Sequence, residues 1–398
     1  MLRPDTFALT ALLSLLTALG PLAVDMYLPS FPDIGRLLAA SPATVQLTLS
    51  LYMVAYAVGQ VVYGPLSDRY GRLPVMRVAL LIYCAASFAC ALASSIETLL
   101  AARVLQALGS SGAIVLARAI VRDLYSGARA GRELSLMGAI MALAPVFAPM
   151  IGGVLQSAFG WRSHFVLQIA FGLVAAYFVW RRLPETLKVP TNSLSPRAIL
   201  AGYAEIARNR AVLAYVAMLA VSFAGVFAWI SGSSFVLQEL YGLSAMSFGL
   251  AFAAASGGYL AGTALATRIV LRLGLDRTIG IGTLALAAGG LGAVAAIPLG
   301  GASPIPLIAA MALYAVGMGL VQPQTMAGTM MPFPQRAGTA SSLLGVSQMV
   351  CASVSGVIVG HLIGTSAWPV AIPLALAGCV TLLLWIVSRG VRAREAQH

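Results

Sequence analysis

Residues 44–92 read TVQLTLSLYMVAYAVGQVVYGPLSDRYGRLPVMRVALLIYCAASFACAL, two long apolar runs on either side of one short charged loop. Each run is close to the roughly 20 residues that a helix needs to cross a bilayer. The rest of the chain repeats the pattern, since 60% of its residues are hydrophobic and 9% are charged, whereas soluble domains carry about 25% charged residues. The sequence therefore predicts an all-α integral membrane protein.

Marking every such run predicts twelve transmembrane helices in two groups of six. The longest polar gap, from Arg181 to Arg210, separates the groups. We therefore expect an N-terminal six-helix half over residues 1–182, a cytoplasmic linker over 183–210 and a C-terminal six-helix half over 211–398, with the halves rocking about a site at the membrane midplane. The twelve helices are predicted to begin near Phe7, Thr44, Val75, Thr98, Glu133, Ser163, Ala211, Met246, Arg277, Ile305, Ala337 and Trp368.

The positive charges give this topology an orientation. If the N-terminus is cytoplasmic, all but three of the 24 Lys and Arg residues fall in cytoplasmic gaps or tails; Arg36 and Arg162 lie outside, and Arg103 lies in a span. Positive loops stay in the cytoplasm, so both termini are predicted to be cytoplasmic. The net charge of +12 is then explained by topology and contact with anionic lipids. Nucleic acid is not an expected partner, and we expect a monomer.

Asp25 and Arg103 each lie well inside a predicted span, and no other span offers a carboxylate comparable to Asp25. A charge in hydrocarbon costs at least about 2.5 kcal/mol, so such residues are functional candidates. Asp25 is predicted to carry a proton; the alternative is an Asp at a helix end that faces water. Arg103 is predicted to be its switchable partner; the alternative is a guanidinium that bonds to backbone carbonyls of the first helix or extends to the outer surface.

The charged loop between the second and third spans predicts a tight turn at the inner surface, with one carboxylate beside two guanidiniums. Charges at the end of the fourth span are predicted to complete a network with this loop that biases a two-state interface. The alternative is a set of ordinary surface pairs worth little energy. The predicted members are Gly64, Asp68, Arg69, Gly71, Arg72, Arg118, Arg122 and Asp123.

This loop resembles the signature of the major facilitator superfamily, G-x-L-x-D-R-x-G-R, although Leu73 stands where a further basic residue is usual. The fourth span is similar to the superfamily pattern R-x-x-Q-G-x-G at Arg103, Gln106 and Gly109, with Ala107 replacing a glycine. The resemblance implies the major facilitator fold.

The fifth span is similar to the pattern G-x-x-x-G-P-x-x-G-G of drug and proton antiporters, but only in part. Pro149, Gly152 and Gly153 match, whereas Ala144 and Ala148 replace the two leading glycines. Small residues still permit close helix packing. The resemblance implies that the three matching residues serve the conformational change.

Four segments resemble the Bcr/CflA family of drug-resistance exporters, and the resemblance extends over essentially the whole chain. They are DMYLP at 25–29, QLTLSLY at 46–52, RAIVRDLY at 118–125 and AGTASSLLG at 337–345. The resemblance implies proton-coupled efflux of small drugs, such as bicyclomycin and chloramphenicol-type compounds, from a bacterial inner membrane. The proton gradient would drive it, with no cofactor.

A drug site is expected as a mostly apolar cavity between the halves with a few polar groups. On the second span Tyr52, Tyr56, Gln60 and Tyr63 recur at helical spacing and would form one stripe. For each candidate the alternative is ordinary helix packing or lipid contact. The further candidates are Tyr27, Met141, Phe223, Phe227, Tyr314, Gln322 and Gln348.

Three classes of function remain open at this point. A proton-coupled antiporter is favoured, while a proton-coupled importer or exporter of a small metabolite would use the same fold and the same Asp25. A membrane enzyme or a non-transporting sensor is disfavoured, because the sequence contains no Ser/His/Asp set, metal cluster or nucleotide-binding loop. We therefore expect neither enzymatic activity nor a metal site.

Overall fold

The structure, a computed structural model, describes residues 6–125, 127–187, 203–333, 337–364 and 366–395. Helices make up its regular structure, and no strand occurs among these residues, which confirms the predicted all-α fold. Besides a short helical segment over residues 203–208, the helices are α1 (Phe7–Asp25), α2 (Phe31–Leu37), α3 (Pro42–Tyr70), α4 (Arg72–Leu92), α5 (Ile96–Leu124), α6 (Gly127–Phe159), α7 (Arg162–Arg182), α8 (Arg210–Phe235), α9 (Ala245–Gly300), α10 (Ile305–Met330), α11 (Ala337–Leu362), α12 (Trp368–Val387) and α13 (Arg389–Glu395).

The described residues account for all twelve predicted spans. Eleven segments are long and apolar enough to cross a membrane, and the first of them, Phe7–Leu37, combines α1 and α2. One of the eleven, α9, has 56 residues and is interrupted at Gly274, whose φ of 78° is not helical. Gly274 divides α9 into residues 245–273 and 275–300, each long enough for a span of its own.

Side-chain caps set where several spans begin. Ser41 accepts a hydrogen bond from the Thr44 amide at the start of α3, and Ser95 forms a reciprocal capping box with Thr98 at the start of α5. Such caps satisfy amides that have no partner inside the helix. The short polar gaps therefore start the next helix at once, which keeps the loops short.

The tight turn predicted between the second and third spans, with Gly64 as its first member, is shorter than expected. Helix α3 continues through Gly64 and Pro65 to Tyr70, and only Gly71, with a φ of 97°, leaves the helical region. The Gly71 amide still donates to the Ser67 carbonyl at 3.1 Å. The helix therefore carries Asp68 and Arg69 on its last turn, and a single residue separates α3 from α4.

The chain forms two compact units, residues 1–194 and 195–398. In unit 1, α5 packs against both α3 and α4, and α1 packs against α5 and α6. In unit 2, α9 packs against α10 and α12. The proposed division at 182/183 and 210/211 stays a prediction, and residues 188–202 of the predicted linker lie outside the described residues.

Helices α4 and α5 cross so closely that a side chain cannot fit between them. A Cβ atom placed on Gly109 of α5 would lie 2.5 Å from the backbone nitrogen of Tyr83 on α4. Backbone atoms of a packed helix move less readily than side-chain tips, so the whole crossing depends on this glycine. The crossing fixes α5, the helix that carries Arg103, against its neighbour.

Gly109→Ala is expected to destabilise the protein by about 1–3 kcal/mol, because one added methyl group forces α4 and α5 apart. Thermal unfolding of the purified protein in detergent measures the effect. Gly138→Ala is the matched control, since a Cβ at Gly138 meets nothing within 4 Å. Equal unfolding temperatures for the two variants would contradict the close crossing.

Candidate functional site

The first span is broken directly after Asp25. Helix α1 ends there, a short turn follows at Leu28–Ser30, and α2 begins at Phe31. In the break the Tyr27 amide donates to the Val24 carbonyl at 3.3 Å. The Ala23 carbonyl, which the Tyr27 amide would bond in a continuous helix, is thereby released. Broken helices of this kind tolerate free backbone groups only where the protein supplies partners.

Arg103 supplies the partner for that carbonyl. Its Nη1 donates to the Ala23 oxygen at 3.0 Å and also to the Gln106 side-chain oxygen. A cation at the carboxyl end of a helix is stabilised by the free carbonyls and the helix dipole. The structure therefore places Arg103 where the second interpretation expected it, on the backbone of the first helix.

Aromatic rings enclose the same guanidinium. Its central carbon lies 4.6 Å from the ring centroid of Tyr27 and 4.3 Å from that of Tyr52. The side chain of Arg103 is completely buried, and cation–π contacts are strongest where water is excluded. Nε and Nη2 of Arg103 have no hydrogen-bond acceptor among the described residues. The cation is thus held without being fully bonded.

Asp25 shares this site but does not touch the arginine. Its side chain is 5% exposed, and it takes part in no ion pair or hydrogen bond among the described residues. Tyr52 lies within electrostatic range of both Asp25 and Arg103. The site therefore contains a buried carboxyl and a buried, partly bonded guanidinium that form no direct ion pair with each other.

A hydrogen-bonded layer fixes these side chains in place. The Gln106 amide nitrogen donates to Ser87 at 2.8 Å and to Gln168 at 2.7 Å, which ties α5 to α4 and α7. The hydroxyl of Tyr27 lies 2.9 Å from that of Thr48, and the hydroxyl of Tyr52 lies 2.7 Å from that of Ser110. The two rings that flank Arg103 are therefore anchored at their outer edges.

Helix α6 closes the site from another side. A Cβ atom on Gly152 would overlap the backbone of Met26, the first residue of the break. Pro149 and Gly153 are buried on the same helix. The three residues that resemble the antiporter pattern thus lie on the helix that packs against the break, and their role in conformational change stays a prediction.

The predicted stripe on α3 continues inward from Tyr52. The rings of Tyr52 and Tyr56 stack with centroids 6.0 Å apart, and the Tyr56 hydroxyl bonds to Gln60. Arg118 lies within electrostatic range of Tyr56, and its Nη2 lies 3.8 Å from the Met141 sulfur. Six of the predicted residues of unit 1 therefore form one row, in which Arg103 contacts the rings of both Tyr27 and Tyr52. The six are Tyr27, Tyr52, Tyr56, Gln60, Arg118 and Met141.

The predicted residues of unit 2 have more varied surroundings. Phe223 and Phe227 on α8 approach with ring centroids 6.5 Å apart, Gln322 is half-buried and Gln348 is buried. Tyr314 is completely buried and donates its hydroxyl to the Ser222 carbonyl at 2.8 Å. The structure gives Tyr314 a packing contact, while substrate binding by all five stays a prediction.

Arg72 is the centre of a second charged cluster, at the inner ends of α3, α4 and α5. Its Nε donates to Asp123 at 2.9 Å, and its Nη1 donates to Asp68 and, at 2.7 Å, to Ser67. Asp68 and Asp123 therefore both bond to Arg72, while a role of this network in a two-state interface stays a prediction. Arg122 is exposed, and neither Arg118 nor Arg122 forms an ion pair within the part of the chain that the structure describes.

Sequence reasoning missed two carboxylates. Glu185, just after α7, accepts the amides of Arg72 at 3.0 Å and Leu73 at 2.9 Å, and so caps the start of α4. Glu133 on α6 is 6% exposed and accepts a hydrogen bond from Thr10 of α1 at 2.7 Å. The expectation that no other span offers a carboxylate comparable to Asp25 is therefore wrong, because the fold buries Glu133, in the second turn of α6, against α1. An acidic residue among basic ones was the only signal in either case.

Comparison with known proteins relates this chain to one family of membrane transporters. Residues 13–356 match the sequence profile described as Major Facilitator Superfamily. The chain is 34% identical to an uncharacterized MFS-type transporter, YdgK, of Bacillus subtilis, over 89% of each chain. It is 28% identical to a bicyclomycin resistance protein homolog of Haemophilus influenzae, over 98% of this chain and 99% of the relative.

Two further matches extend the comparison. The chain is 30% identical to a chloramphenicol resistance protein of Pseudomonas aeruginosa, over 100% of this chain and 94% of the relative. Among solved structures, a D-xylose-proton symporter superposes with a TM-score of 0.74 at 16% identity, covering 96% of each chain. At this identity the structural match supports the fold alone.

Arg103→Lys is expected to lower the unfolding temperature, because lysine keeps the charge but cannot lie between two rings while bonding both Ala23 and Gln106. The loss of a charged hydrogen bond in a buried site corresponds to about 1.5–3 kcal/mol. Thermal unfolding in detergent is the measurement, with Arg36→Lys as the control, since the Arg36 side chain is 75% exposed. An unchanged unfolding temperature for Arg103→Lys would rule out a structural role for the arginine at the break.

Proposed function

Because this chain belongs to the major facilitator superfamily, we propose that it is a drug:proton antiporter that exports small drugs by alternating access. The protein is a multi-pass bacterial membrane transporter and not an enzyme. Two relatives are named a bicyclomycin resistance protein homolog and a chloramphenicol resistance protein, and these names support drugs of the two kinds as its substrates. The observation that carries the proton coupling is the unpaired carboxyl of Asp25 at the break in the first span.

Asp25 is the proton carrier in this proposal. An ionised carboxylate without a partner is very costly to bury, whereas a neutral carboxyl is far less so. The surroundings of Asp25 in this structure therefore suit a bound proton. Contact with water in another state of the transporter would favour release, and this difference between states is what couples a proton to a conformational change.

Arg103 has the capacity to respond to that release. Its Nε and Nη2 lack acceptors among the described residues, so an ionised Asp25 could be bonded without giving up the Ala23 carbonyl. A guanidinium presents several donors in one plane and can hold a carbonyl and a carboxylate together. Arg103 thus serves as a fixed cap in the state described here and as the counter-charge of Asp25 once the proton has left.

The substrate would meet mainly aromatic and amide groups. In unit 1 the row from Tyr52 through Tyr56 and Gln60 to Met141 offers ring faces, one amide and a thioether. Such a surface suits a small, largely apolar and uncharged compound that has a few polar groups. Phe223, Phe227, Gln322 and Gln348 of unit 2 are the proposed residues on the second half.

The energy of one proton is sufficient for export of a neutral compound. A proton that moves inward gains about 2.3 kcal/mol per 100 mV, which corresponds to a concentration ratio of about 50 for the drug. No cofactor is needed on this account. We place the protein in the bacterial inner membrane as a monomer, with both termini in the cytoplasm.

Asp25→Asn is expected to abolish drug export driven by a pH gradient, because asparagine cannot take up or release a proton. Transport of bicyclomycin and phenicols into inverted membrane vesicles measures it, together with proton release on drug binding by the purified protein. Glu97→Gln is the matched control, because Glu97 is an exposed carboxylate at the start of the helix that carries Arg103. Full gradient-driven export by Asp25→Asn at normal protein levels would refute the assignment, and drug uptake toward the cytoplasm would indicate an importer instead.

Asp123→Asn is expected to slow turnover more than it weakens drug binding, because it removes a partner of Arg72 that joins α4 to α5. A loss of about 1 kcal/mol in one state corresponds to roughly a fivefold lower transport rate. Transport kinetics and equilibrium drug binding are measured on the same preparation. Asp33→Asn is the control, since Asp33 also pairs with an arginine, Arg36, at a distance from this cluster. Equal losses in rate and affinity would count against a switch at Arg72.

A further inference from the structure

Arg118 on α5 is a cation inside a membrane span, and it has no counter-ion in the part of the chain that the structure describes. It is partly buried, and its one hydrogen-bonding contact among those residues is with the Met141 sulfur. The groups that act on it electrostatically are the Tyr56 phenol and a second cation, Arg122. Charged side chains inside a span normally pair with one another or mark the path of a ligand. An anionic partner for Arg118 would therefore have to come from a ligand.

The guanidinium of Arg118 is directed toward the middle of the membrane. Its Nη2 lies 3.8 Å from the sulfur of Met141, which is near the middle of the span Arg132–Phe159. Tyr56, the other uncharged neighbour, is the central residue of α3. Side chains on a helix point back toward its N-terminus, so Arg118 reaches from near the end of α5 toward the centre of that helix. The guanidinium is therefore turned away from the lipid headgroups at the nearer membrane surface.

Tyr56 and Met141 line the space beside this guanidinium. A Cβ atom on Gly20 of α1 would lie 2.8 Å from the Tyr56 hydroxyl, so the ring is held against α1. The Tyr52 ring stacks on it with centroids 6.0 Å apart. A thioether sulfur is only a weak acceptor, so Met141 leaves the hydrogen-bonding capacity of the guanidinium largely unused. The site thus offers a fixed ring beside a cation that can still bind an acceptor.

We propose that Arg118 binds the acidic group of a second class of substrates, aromatic compounds that carry one ionised carboxylate. The inference rests on the proposed transport function and adds anionic compounds to the neutral drugs. The guanidinium would donate two parallel hydrogen bonds to the two carboxylate oxygens. Tyr56 and Met141 would contact the aromatic body of the compound. Arg118 is then a specificity-determining residue, because a neutral compound cannot form this charged pair.

Binding of an anion at Arg118 is compatible with proton exchange at Asp25, because the two places are far apart. Arg103, which shares a site with Asp25, lies 15 residues before Arg118 on the same helix, and a helix rises about 22 Å over that length. The interaction of two charges falls with distance, at this separation to about a fifth of its value in a contact pair. The same proton can therefore drive the export of both classes of compound.

Titration calorimetry of the full-length purified protein in detergent, with naphthoate and with its neutral amide, naphthamide, tests the proposal. The two compounds have nearly the same shape, but at neutral pH only naphthoate is charged. Arg118→Gln is expected to weaken naphthoate binding about 10- to 100-fold, the value of a hydrogen bond to a charged group, and to leave naphthamide within about twofold. Arg118→Lys keeps the charge and is expected to recover part of the loss. Arg182→Gln is the control, because it removes an exposed arginine at the end of α7.

Comparison with the neutral drugs distinguishes a failure of this proposal from a failure of drug export. If the normal protein binds bicyclomycin or phenicols but not naphthoate, the anion site is wrong and drug export stands. Naphthoate binding that depends on Arg118, without binding of those drugs, supports the anion site and contradicts the proposed drugs. Equal losses in Arg118→Gln and Arg182→Gln would indicate general surface charge and overturn the site. If Arg118→Gln does not fold, Arg118→Lys provides the test, with a larger loss expected for naphthoate than for naphthamide.

The membrane potential provides a second measurement, which a purely structural role of Arg118 would not affect. Export of a monoanion in exchange for a proton moves two charges, whereas export of a neutral compound moves one. The concentration ratio of about 50 that 100 mV supports for a neutral compound becomes its square, about 2,500, for the anion. In inverted membrane vesicles at a constant pH gradient, naphthoate accumulation is therefore expected to rise more steeply with the potential than naphthamide accumulation. Equal dependence on the potential would show that naphthoate is carried as its neutral acid, which would overturn the assignment of Arg118.

Discussion

The hydrogen bond from Arg103 to the Ala23 carbonyl is the contact on which the proposed site depends. Without a partner the released carbonyl would be a buried, unsatisfied acceptor, and the first span could not remain broken after Asp25. The break in turn gives the guanidinium an acceptor that carries no full charge. Arg103 can therefore be completely buried although it forms no ion pair with Asp25 in this structure.

The two charged clusters of unit 1, around Arg103 and around Arg72, differ in how far their side chains are enclosed. Around Arg103 the partners are backbone, amide and ring groups that are fully enclosed, so rearrangement there is costly. Around Arg72 the carboxylates are more open, since Asp68 is 45% exposed and Asp123 is 19% exposed. Ion pairs that water can reach contribute less energy than enclosed ones. On the proposed antiport, the enclosed cluster would store the proton, and the more open one would form and break in each cycle.

Hydropathy and charge predicted the spans well because a bilayer imposes both length and polarity on every crossing helix. They could not predict the contacts that build the site. The acceptor of Arg103 is the backbone carbonyl of Ala23. Every residue has such a carbonyl, so the sequence alone could not identify Ala23 as the acceptor. Gly64 was assigned to a turn because glycine often breaks helices, yet hydrogen bonds within α3 outweigh that preference.

The two carboxylates that sequence reasoning missed, Glu133 and Glu185, also depend on contacts that the sequence does not reveal. Glu133 follows several arginines at the predicted start of the fifth span, but its neighbours in space are set by the packing of α6 on α1. Glu185 lies in the predicted linker, yet it accepts two amides at the start of α4 and so belongs physically to unit 1.

These contacts also bear on how the proposed coupling is distributed. In unit 2 the Asp276 carboxylate is paired with Arg392 at 2.8 Å. In unit 1 Asp25 has no ion-pair or hydrogen-bond partner among the described residues, and Glu133 accepts a hydrogen bond from Thr10. A buried carboxylate without a partner is the costliest of these to keep ionised, because neither solvent nor a neighbouring group stabilises its charge. On the proposed antiport the proton is therefore carried in unit 1, at Asp25, while unit 2 is proposed to contribute surface for the drug.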